Sequence, residues 1–303
     1  MGIHNRMISP FYISHPFTLF MYYTALFSCI FIFKNPFIML SLFTACCLMA
    51  MCYSGMDKFL KSMKWIVLIG AAVLALNILL VHKGSSVMFY LFKNPITKEA
   101  LIYGLYNMLM LMSVMTAFIS FNTLLDSSKF LYLFSNILPK TSFVFDMALR
   151  YIPLFKKRAS DLAAVQSVNS EKVNKSVREK IQTYGIYLKA LTSWTLEEGM
   201  DTALSLKVKN YGTFNKVHYA RYRYTLRDIL LLSVFMAFTL FIYIAAILGN
   251  TGFTYYPVTS SVGLKDFNLV LYGVTVLVIY LPFINEGIAS LKRGFVKLWL
   301  QKR

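Results

Sequence analysis

The stretch HPFTLFMYYTALFSCIFIFKNPFIML, residues 15–40, decides the fold. One charge-free run, 17–33, lies within it, and a second, 36–52, begins within it, directly after the Lys-Asn-Pro sequence of residues 34–36. Each run has the roughly 17 residues that an α-helix needs to cross the hydrocarbon core of a bilayer. Pro36 cannot continue a helix and disfavours helical geometry at Asn35. The stretch therefore predicts a tight hairpin of two membrane-spanning helices.

The remainder of the chain repeats this pattern of long runs without charge. Such runs lie at approximately 17–33, 36–52, 65–81, 101–121, 229–249 and 267–285. Of the 303 residues, 57% are apolar and only 15% are charged, far from the balance of a soluble domain. We therefore predict an all-α, polytopic membrane protein with about six transmembrane helices. The interiors of these spans carry no ionisable side chain, whereas ion-coupled carriers normally need one there.

The charge distribution predicts how the chain is oriented in the membrane. The net charge is +18, and fifteen of the basic residues fall between Arg150 and Arg227 beside six acids. Basic loops stay on the cytoplasmic side, so residues 150–227 are predicted to be cytoplasmic, as are both termini of this multi-pass plasma-membrane protein. Lys58, Lys61 and Lys64, between spans two and three, agree with this orientation. The loop 82–100, which carries three lysines, is predicted to be outside and goes mildly against it.

A seventh apolar run, residues 129–155, is interrupted by polar and helix-breaking residues: Pro139, Lys140, Asp146 and Arg150. It is too broken for a simple span, and we expect a helix that emerges from the bilayer into the cytoplasm. Pro153 is expected to end or kink this helix. The chain is thereby divided into an N-terminal membrane segment (1–128), a cytoplasmic or interfacial segment of long amphipathic helices (129–227) and a C-terminal membrane hairpin with a basic tail (228–303).

Two amphipathic helices are predicted within the cytoplasmic segment. The first has one apolar face, formed by Val173, Val177, Ile181, Tyr184, Leu188 and Leu191. The second is SWTLEEGMDTALSLKVKNYG, residues 193–212, where Thr195 and Glu198 have the spacing of a capping box and Gly212 is a plausible C-cap. Its apolar face consists of Leu196, Met200, Ala203, Leu204 and Val208. The acids Glu197, Glu198 and Asp201 argue against simple attachment of this helix to anionic lipid.

The chain lacks the motifs of catalysis, nucleotide binding and metal binding. It has no phosphate-binding Gly-x-x-x-x-Gly-Lys-Ser/Thr loop, and its four histidines are scattered singly. Cys29, Cys46, Cys47 and Cys52 lack metal-ligand spacing and are interpreted as small buried apolar residues. Tyrosines and arginines at 218–225 favour an interfacial anchor over RNA binding. We therefore predict no catalytic residue, metal, cofactor or nucleic-acid partner, so energy for transport would have to enter from another polypeptide.

Several separated stretches resemble the transmembrane, or T, component of energy-coupling factor (ECF) transporters. They are residues 15–40, quoted above; NILLVHKGSSVMFY (77–90); NPITKEALIYGLYNMLMLMSV (94–114); SSKFLYLFSNILPKTSFVFDMALRYIPLF (127–155); and the helix at 193–212. The likeness covers roughly 15–225, and the order of the stretches along one chain carries it. Arg150 and Pro153 fall in the family's structural element before the coupling helices, here with Tyr151 in place of Phe.

The resemblance implies two ABC-type ATPase subunits beneath the membrane and a substrate-binding S subunit beside this chain in the lipid bilayer. In that family two amphipathic coupling helices cross, and each ends in an Ala-Arg-Gly-type motif that docks on one ATPase. Carried over, the second motif falls on Val208, Lys209 and Asn210. The first falls near Gln166, Ser167, Val168, Asn169 and Ser170, where neither arginine nor a terminal glycine is present.

Three functions follow from these patterns. The first is a T component that couples ATP hydrolysis to uptake of a vitamin or metal ion. The second is a diverged membrane scaffold of the same fold that no longer couples, which the loss of the first motif favours. The third is a membrane enzyme or independent carrier, which the charge-free spans disfavour.

Overall fold

The computed structural model describes residues 10–81, 87–91, 94–135, 137–169, 177–211, 222, 224–249, 253, 255 and 270–285. The chain divides into two compact units. The membrane unit comprises the described residues of Met1–Phe130 and of Tyr222–Arg303, and the coupling unit comprises those of Leu131–Arg221. The predicted segments 1–128, 129–227 and 228–303 remain predictions as functional domains.

Helices occupy all six predicted spans of the membrane unit. After the short α1 (Pro10–Ile13) come α2 (Pro16–Ile32), α3 (Pro36–Ser54), α4 (Met56–Leu80), α5 (Lys98–Leu124), α9 (Leu226–Ile247) and α10 (Val270–Asn285). Helices α3, α4, α5 and α9 are long and apolar enough to cross a membrane, and α2 and α10 are shorter apolar helices. The all-α, polytopic fold is confirmed.

The predicted hairpin between α2 and α3 is present and is held by side chains from elsewhere. Pro36 is the first residue of α3, and the Asn35 side chain accepts a hydrogen bond from the amide of Phe37 at 3.0 Å. Tyr106 of α5 donates to the carbonyl oxygen of Phe33 at 3.2 Å, and Tyr255 donates to that of Lys34. The carbonyls freed where α2 ends are thus satisfied inside the protein.

Helix α5 lies at the centre of the first four spans. It packs against α3 and α4 and also contacts α2, while α2 packs against α9. Gly70 of α4 permits a close approach, because a Cβ there would lie 3.0 Å from Met112 of α5. Such small residues let membrane helices associate through van der Waals contact. Cys29 and Cys46 are buried as predicted, but Cys47 is half-buried and Cys52 is exposed.

A short antiparallel hairpin joins α4 to α5, and the sequence did not predict it. Its strands are β1 (Val87–Leu91) and β2 (Asn94–Thr97), paired from Val87 with Thr97 to Leu91 with Asn94. The second strand contains Pro95, and proline disfavours strand structure except at an edge. For this reason the sequence did not indicate a strand there.

Three long or medium helices follow the first four spans. Helix α6 (Ser127–Ser135) crosses from one unit to the other along the chain, and α7 (Pro139–Asn169) and α8 (Val177–Val208) form the coupling unit. Pro153 lies inside α7, so of the two predicted outcomes the end of the helix is wrong and the kink stays a prediction. Regular helix on both sides tolerates the proline although it removes one backbone donor.

Helix α8 also corrects the expectation of two separate helices around residue 192. It runs without a break from Val177 to Val208, so the predicted capping box at Thr195 and Glu198 is wrong. The Thr195 hydroxyl instead donates to the carbonyl oxygen of Leu191 at 2.6 Å, within the helix. A threonine can bond back to the preceding turn when the helix continues through it, which the spacing alone cannot reveal.

Candidate coupling surface

Helices α7 and α8 run antiparallel and touch through a small aromatic cluster. Tyr151 and Thr202 share a hydroxyl hydrogen bond of 2.9 Å, and the Phe155 ring meets Trp194 edge-on at 5.8 Å between centroids. The guanidinium of Arg158 lies 4.9 Å from the centre of the Trp194 ring. Later residues of α7 therefore contact earlier residues of α8, as expected for antiparallel helices. We call Tyr151, Phe155, Arg158, Trp194 and Thr202 the crossing cluster.

Sequence reasoning did not identify the crossing cluster as a unit. Tyr151 and Phe155 are four residues apart and stack at 5.9 Å, which places both rings on one face of α7. This aromatic i, i+4 pair was a usable signal. The partner across the pair, Trp194, could not be assigned because antiparallel register depends on the length of the α7–α8 connection.

The end of α8 has the geometry of a Schellman C-cap. The amide of Asn210 donates to the carbonyl oxygen of Lys207 at 3.0 Å, and the amide of Tyr211 donates to that of Leu206 at 2.9 Å. Asn210 has φ 53°, the left-handed backbone that closes this motif. Asn210, rather than the predicted Gly212, is therefore the residue that ends the helix; Gly212 lies outside the described residues.

The cap fixes the three residues of the second predicted docking motif as an exposed tip. The Val208 side chain is 82% exposed, and Lys209 and Asn210 are exposed as well. Just beyond them, Tyr211 stacks on Phe143 of α7 with 4.6 Å between ring centroids. The cap and the aromatic stack thus hold the tip in place, and the charged side chain of Lys209 is exposed on it.

Most apolar side chains of the coupling unit are uncovered. Those exposed by more than half include Val144, Phe145, Ile152, Ile181, Tyr184, Leu188, Leu196, Met200 and Leu204. Among the described residues between 131 and 211, no apolar side chain is buried. The predicted apolar residues from Ile181 to Val208 therefore lie on α8 and are exposed or partly exposed, whereas Val173 and the Val177 side chain lie outside the described residues. Apolar area of this extent on a surface marks a binding site for protein or lipid.

The remaining predicted residues lie along α7. Arg150 is exposed, and its guanidinium lies 5.8 Å from the ring centre of Tyr151. Pro153 lies between Tyr151 and Phe155 of the crossing cluster. Gln166, Ser167, Val168 and Asn169 form the last turn of α7, but their side chains, and Ser170 altogether, lie outside the described residues. The structure therefore places Val208, Lys209 and Asn210 together at the exposed end of α8, and both docking motifs remain predictions.

An open groove of about 360 Å³ lies between α7 and α8 next to the crossing cluster. Its lining residues are Arg158, Asp161, Leu162, Val165, Ala190, Leu191 and Trp194. Most of the lining is apolar carbon, with one acid and one base at its edge. Within the part of the chain that the structure describes, no three His, Cys, Asp or Glu side chains come together as metal ligands could.

The apolar helices of the membrane unit, four of them long enough to cross a bilayer, define the class of the chain as a polytopic membrane protein. A comparison with models of protein families identifies the family within this class. The chain belongs to the cobalt transport protein family, CbiQ, whose model matches residues 13–219. The match spans more than half of the 303 residues and includes α2 to α5 and the coupling unit through α8. No curated protein matches the chain.

Proposed function

We propose that this chain is the transmembrane coupling subunit of an ECF-type ABC importer. It would transmit the motion of two ABC-type ATPase subunits to a membrane-embedded, substrate-binding S subunit. The observation that carries the proposal is the uncovered apolar surface of α7 and α8, which leads to the exposed tip Val208–Asn210. Membership in a transporter family and the lack of a sequence motif for nucleotide binding support the same assignment.

The proposed orientation places both termini and residues 150–227 in the cytoplasm of a plasma-membrane protein. The density of basic residues in this segment supports it, because such segments are retained on the cytoplasmic side. The ATPases would then meet the coupling unit from the cytoplasm. The chain itself would be non-catalytic, with no cofactor of its own.

The cargo is proposed to be a vitamin or a metal ion, selected by the S subunit. The family's name makes cobalt the first ion to test. Cobalt would be cargo here and not a resident metal.

The tip would dock in an ATPase groove that presents carboxylates. Lys209 supplies a positive charge at the C-terminus of α8, where the helix dipole also favours cations, and Lys207 adds a second positive charge in the last turn of the helix. Lysine lacks the planar fork with which arginine binds a carboxylate bidentately, so the contact would be weaker than one made by arginine. Asn210 supplies the left-handed turn that a glycine would otherwise provide.

Purification in mild detergent tests the proposal directly, because two ATP-binding subunits should co-elute with the chain. Lys209→Glu should weaken this association about tenfold or more, since it replaces attraction by repulsion at the docking tip. Lys189→Glu is the matched control: Lys189 is also exposed on α8 and changes the net charge equally, but it is far from the tip. Equal association of the wild type and both variants would remove Lys209 from the interface.

A second candidate is a membrane scaffold that has lost coupling. The absence of both arginine and a terminal glycine from residues 166–170 favours it, because one of two docking tips would then be missing. Reconstitution with ATPases and an S subunit separates the candidates: ATP-dependent uptake excludes the scaffold, and its absence, with ATPases bound, supports it. Transport or turnover by the purified chain alone would instead indicate an independent carrier or enzyme.

A further inference from the structure

The coupling unit is joined to the membrane unit by the chain at two places. The chain leaves the membrane unit after Phe130 and returns to it at Tyr222. Residues of the membrane unit next to both junctions contact one short segment near the N-terminus, Phe11–His15. We call this segment the junction mount. Neither the family match nor the docking tip accounts for it.

The first junction is fixed to the mount by Lys129. Its ammonium donates to the backbone oxygen of Tyr12 at 2.7 Å and to that of Leu124 at 3.1 Å. The same nitrogen lies 3.9 Å from the centre of the Tyr12 ring. Lys129 is only 7% exposed, and burial lowers its pKa from the ordinary value to about 8, with Asp126 opposing the shift. The side chain is therefore still protonated at neutral pH and joins α6, α5 and the mount.

The second junction is fixed to the mount by His15. Its ring stacks on Tyr224 with centroids 3.7 Å apart and meets Tyr222 edge-on at 6.2 Å. These tyrosines belong to the segment that the sequence predicted to be an interfacial anchor. Burial lowers the pKa of His15, with Asp228 opposing, so the ring is neutral at pH 7. A neutral ring can accept a hydrogen bond, and Nδ1 does so from the amide of Phe17 at 3.2 Å.

The start of α9 is itself closed onto α2 beside this stack. Thr225 and Asp228 form a complete capping box, in which the Asp228 carboxylate accepts from the Thr225 amide at 3.2 Å. The Thr18 hydroxyl of α2 donates to the backbone oxygen of Asp228 at 3.5 Å. These contacts join the first turns of α2 and α9 to each other beside the stack of His15 on Tyr224.

The mount is seated in the core of the membrane unit. Phe11 has no exposed area and meets the Tyr22 ring edge-on at 5.5 Å, with Tyr53 of α3 at 6.4 Å. His15 caps α2 and is 4% exposed. A buried aromatic side chain at one end and a helix cap at the other leave the segment little freedom to move independently of α2 and α3.

We infer that the junction mount, Phe11–His15, is a positioning element that contacts and holds both junctions of the coupling unit. We call this arrangement the shared seat. Because of it, displacement of either junction reaches α2, α3, α5 and α9 together. Its role in transport rests on the proposed function, whereas its role as a shared seat does not. Lys129, Tyr224 and Phe11 are the residues through which it acts. They are positioning residues and would contact neither ATPase nor cargo.

Amide hydrogen exchange on the chain alone, in a lipid nanodisc, tests the shared seat. The reporters are the Phe130 amide, bonded to the oxygen of Asp126 at 3.0 Å, and the Ile229 amide, bonded to that of Thr225 at 3.1 Å. Lys129→Met should speed exchange mainly at the first reporter. His15→Asn should speed it mainly at the second, because asparagine still caps α2 but cannot stack on Tyr224. Phe11→Ala should speed both about tenfold or more.

Thr123→Val is the control for general loosening of the same layer. It removes the 3.0 Å hydrogen bond between Thr123 and Ser54 at the ends of α5 and α3 without touching the mount. If Phe11→Ala leaves either reporter unchanged, or if Thr123→Val moves both equally, the shared seat is refuted. Should Phe11→Ala fail to fold, Phe11→Leu provides the milder loss of ring contacts and is judged by the same two reporters.

The reconstituted complex, with ATPases and an S subunit, tests the role in transport. Lys129→Met should lower the substrate moved per ATP hydrolysed about two- to thirtyfold with ATPase association unchanged, and Lys129→Arg should restore it. Unchanged stoichiometry in Lys129→Met would overturn the role in transport. If wild-type complex shows no ATP-driven uptake, the proposed function fails, and the exchange experiment still decides the shared seat.

Discussion

The two units of this chain use similar residues in opposite ways. In the membrane unit, large side chains such as Tyr22, Tyr23 and Phe235 are fully buried among α2, α5 and α9. In the coupling unit, Phe145, Ile152 and Met200 are mostly exposed although they are just as apolar. Among the described residues, the first unit has a core of its own, whereas the second is held by the crossing cluster and by the stack of Tyr211 on Phe143. We therefore expect the second unit to be the less stable of the two in the isolated chain.

Prolines begin helices in both units, as Pro139 does in α7, but the coupling unit also has one inside a helix. In the membrane unit Pro16 and Pro36 are the first residues of their helices, where a missing amide costs nothing. In the coupling unit Pro153 lies in the middle of α7, where it removes a donor to the preceding turn. Because α7 lacks one backbone hydrogen bond there, we expect the helix to be locally weak at Pro153.

The largest expected effect comes from matched phenylalanines. Phe235 has no exposed area and its ring centroid lies 5.2 Å from that of Tyr22, whereas Phe145 is 57% exposed. Phe235→Ala should lower the free energy of unfolding by about 3–5 kcal/mol, because it leaves a cavity in the membrane unit. Phe145→Ala should change it by less than about 0.5 kcal/mol in the isolated chain. Thermal unfolding in one detergent measures both.

Equal losses in the two phenylalanine variants would break the comparison, because they would mean that the coupling unit has a core too. A second measurement repeats the comparison of the two variants with the ATPases and the S subunit bound. Phe145→Ala is expected to become destabilising only when the ATPases and the S subunit are present, since they would cover the exposed faces of α7 and α8.

The next effect concerns the proline in α7. Pro153→Ala restores the amide that can donate to the Leu149 carbonyl and should stabilise the coupling unit by up to about 3 kcal/mol. Slower amide exchange around residue 153 would show it. Ser160→Ala, on an exposed turn of the same helix, changes helix propensity alone and should alter exchange far less. No slowing at residue 153 would mean that the proline carries no local weakness.

A smaller effect is expected at the crossing cluster. Trp194→Ala removes both the edge-on contact with Phe155 and the cation–π contact with Arg158, which together are worth about 1–2 kcal/mol. Amide exchange should quicken in α7 and α8 and stay unchanged in the membrane unit. Leu196→Ala, two residues further on and exposed, is the control. Loosening of the membrane unit by Trp194→Ala would contradict the division into two units.

Much of the fold follows from sequence because each predicted span is long, apolar and charge-free. Pro36 also predicted the first hairpin, whereas the side-chain cap of Asn35 on the Phe37 amide was not predicted. The coupling unit was harder to predict. Thr195 and Glu198 match the pattern of a helix start, yet α8 continues through them. Both residues can also lie inside a helix, so their spacing alone does not mark where a helix begins.

The candidate site was partly predictable for a related reason. The resemblance to ECF T components placed the second motif on Val208, Lys209 and Asn210, and the left-handed backbone at Asn210 agrees with the preference of asparagine for that geometry. The contacts between Lys129 and Tyr12, or His15 and Tyr224, join residues more than one hundred positions apart. No periodicity within one helix encodes such pairings. They arise only when the N-terminal segment packs against the start of α6 and the residues before α9.

The smallest effect is expected at the helix end, where the two residues of the tip can be separated. Asn210 has φ 53°, so Asn210→Gly should be neutral or slightly stabilising, whereas Asn210→Val should cost about 1–2 kcal/mol, confined to the last turn of α8. Both variants keep Lys209. If the tip docks as a rigid unit, Asn210→Val should weaken ATPase association and Asn210→Gly should maintain it, as co-purification would measure. Equal association of the two would mean that the charge of Lys209 binds without the cap, and that even this end of the coupling unit takes its shape from its partner.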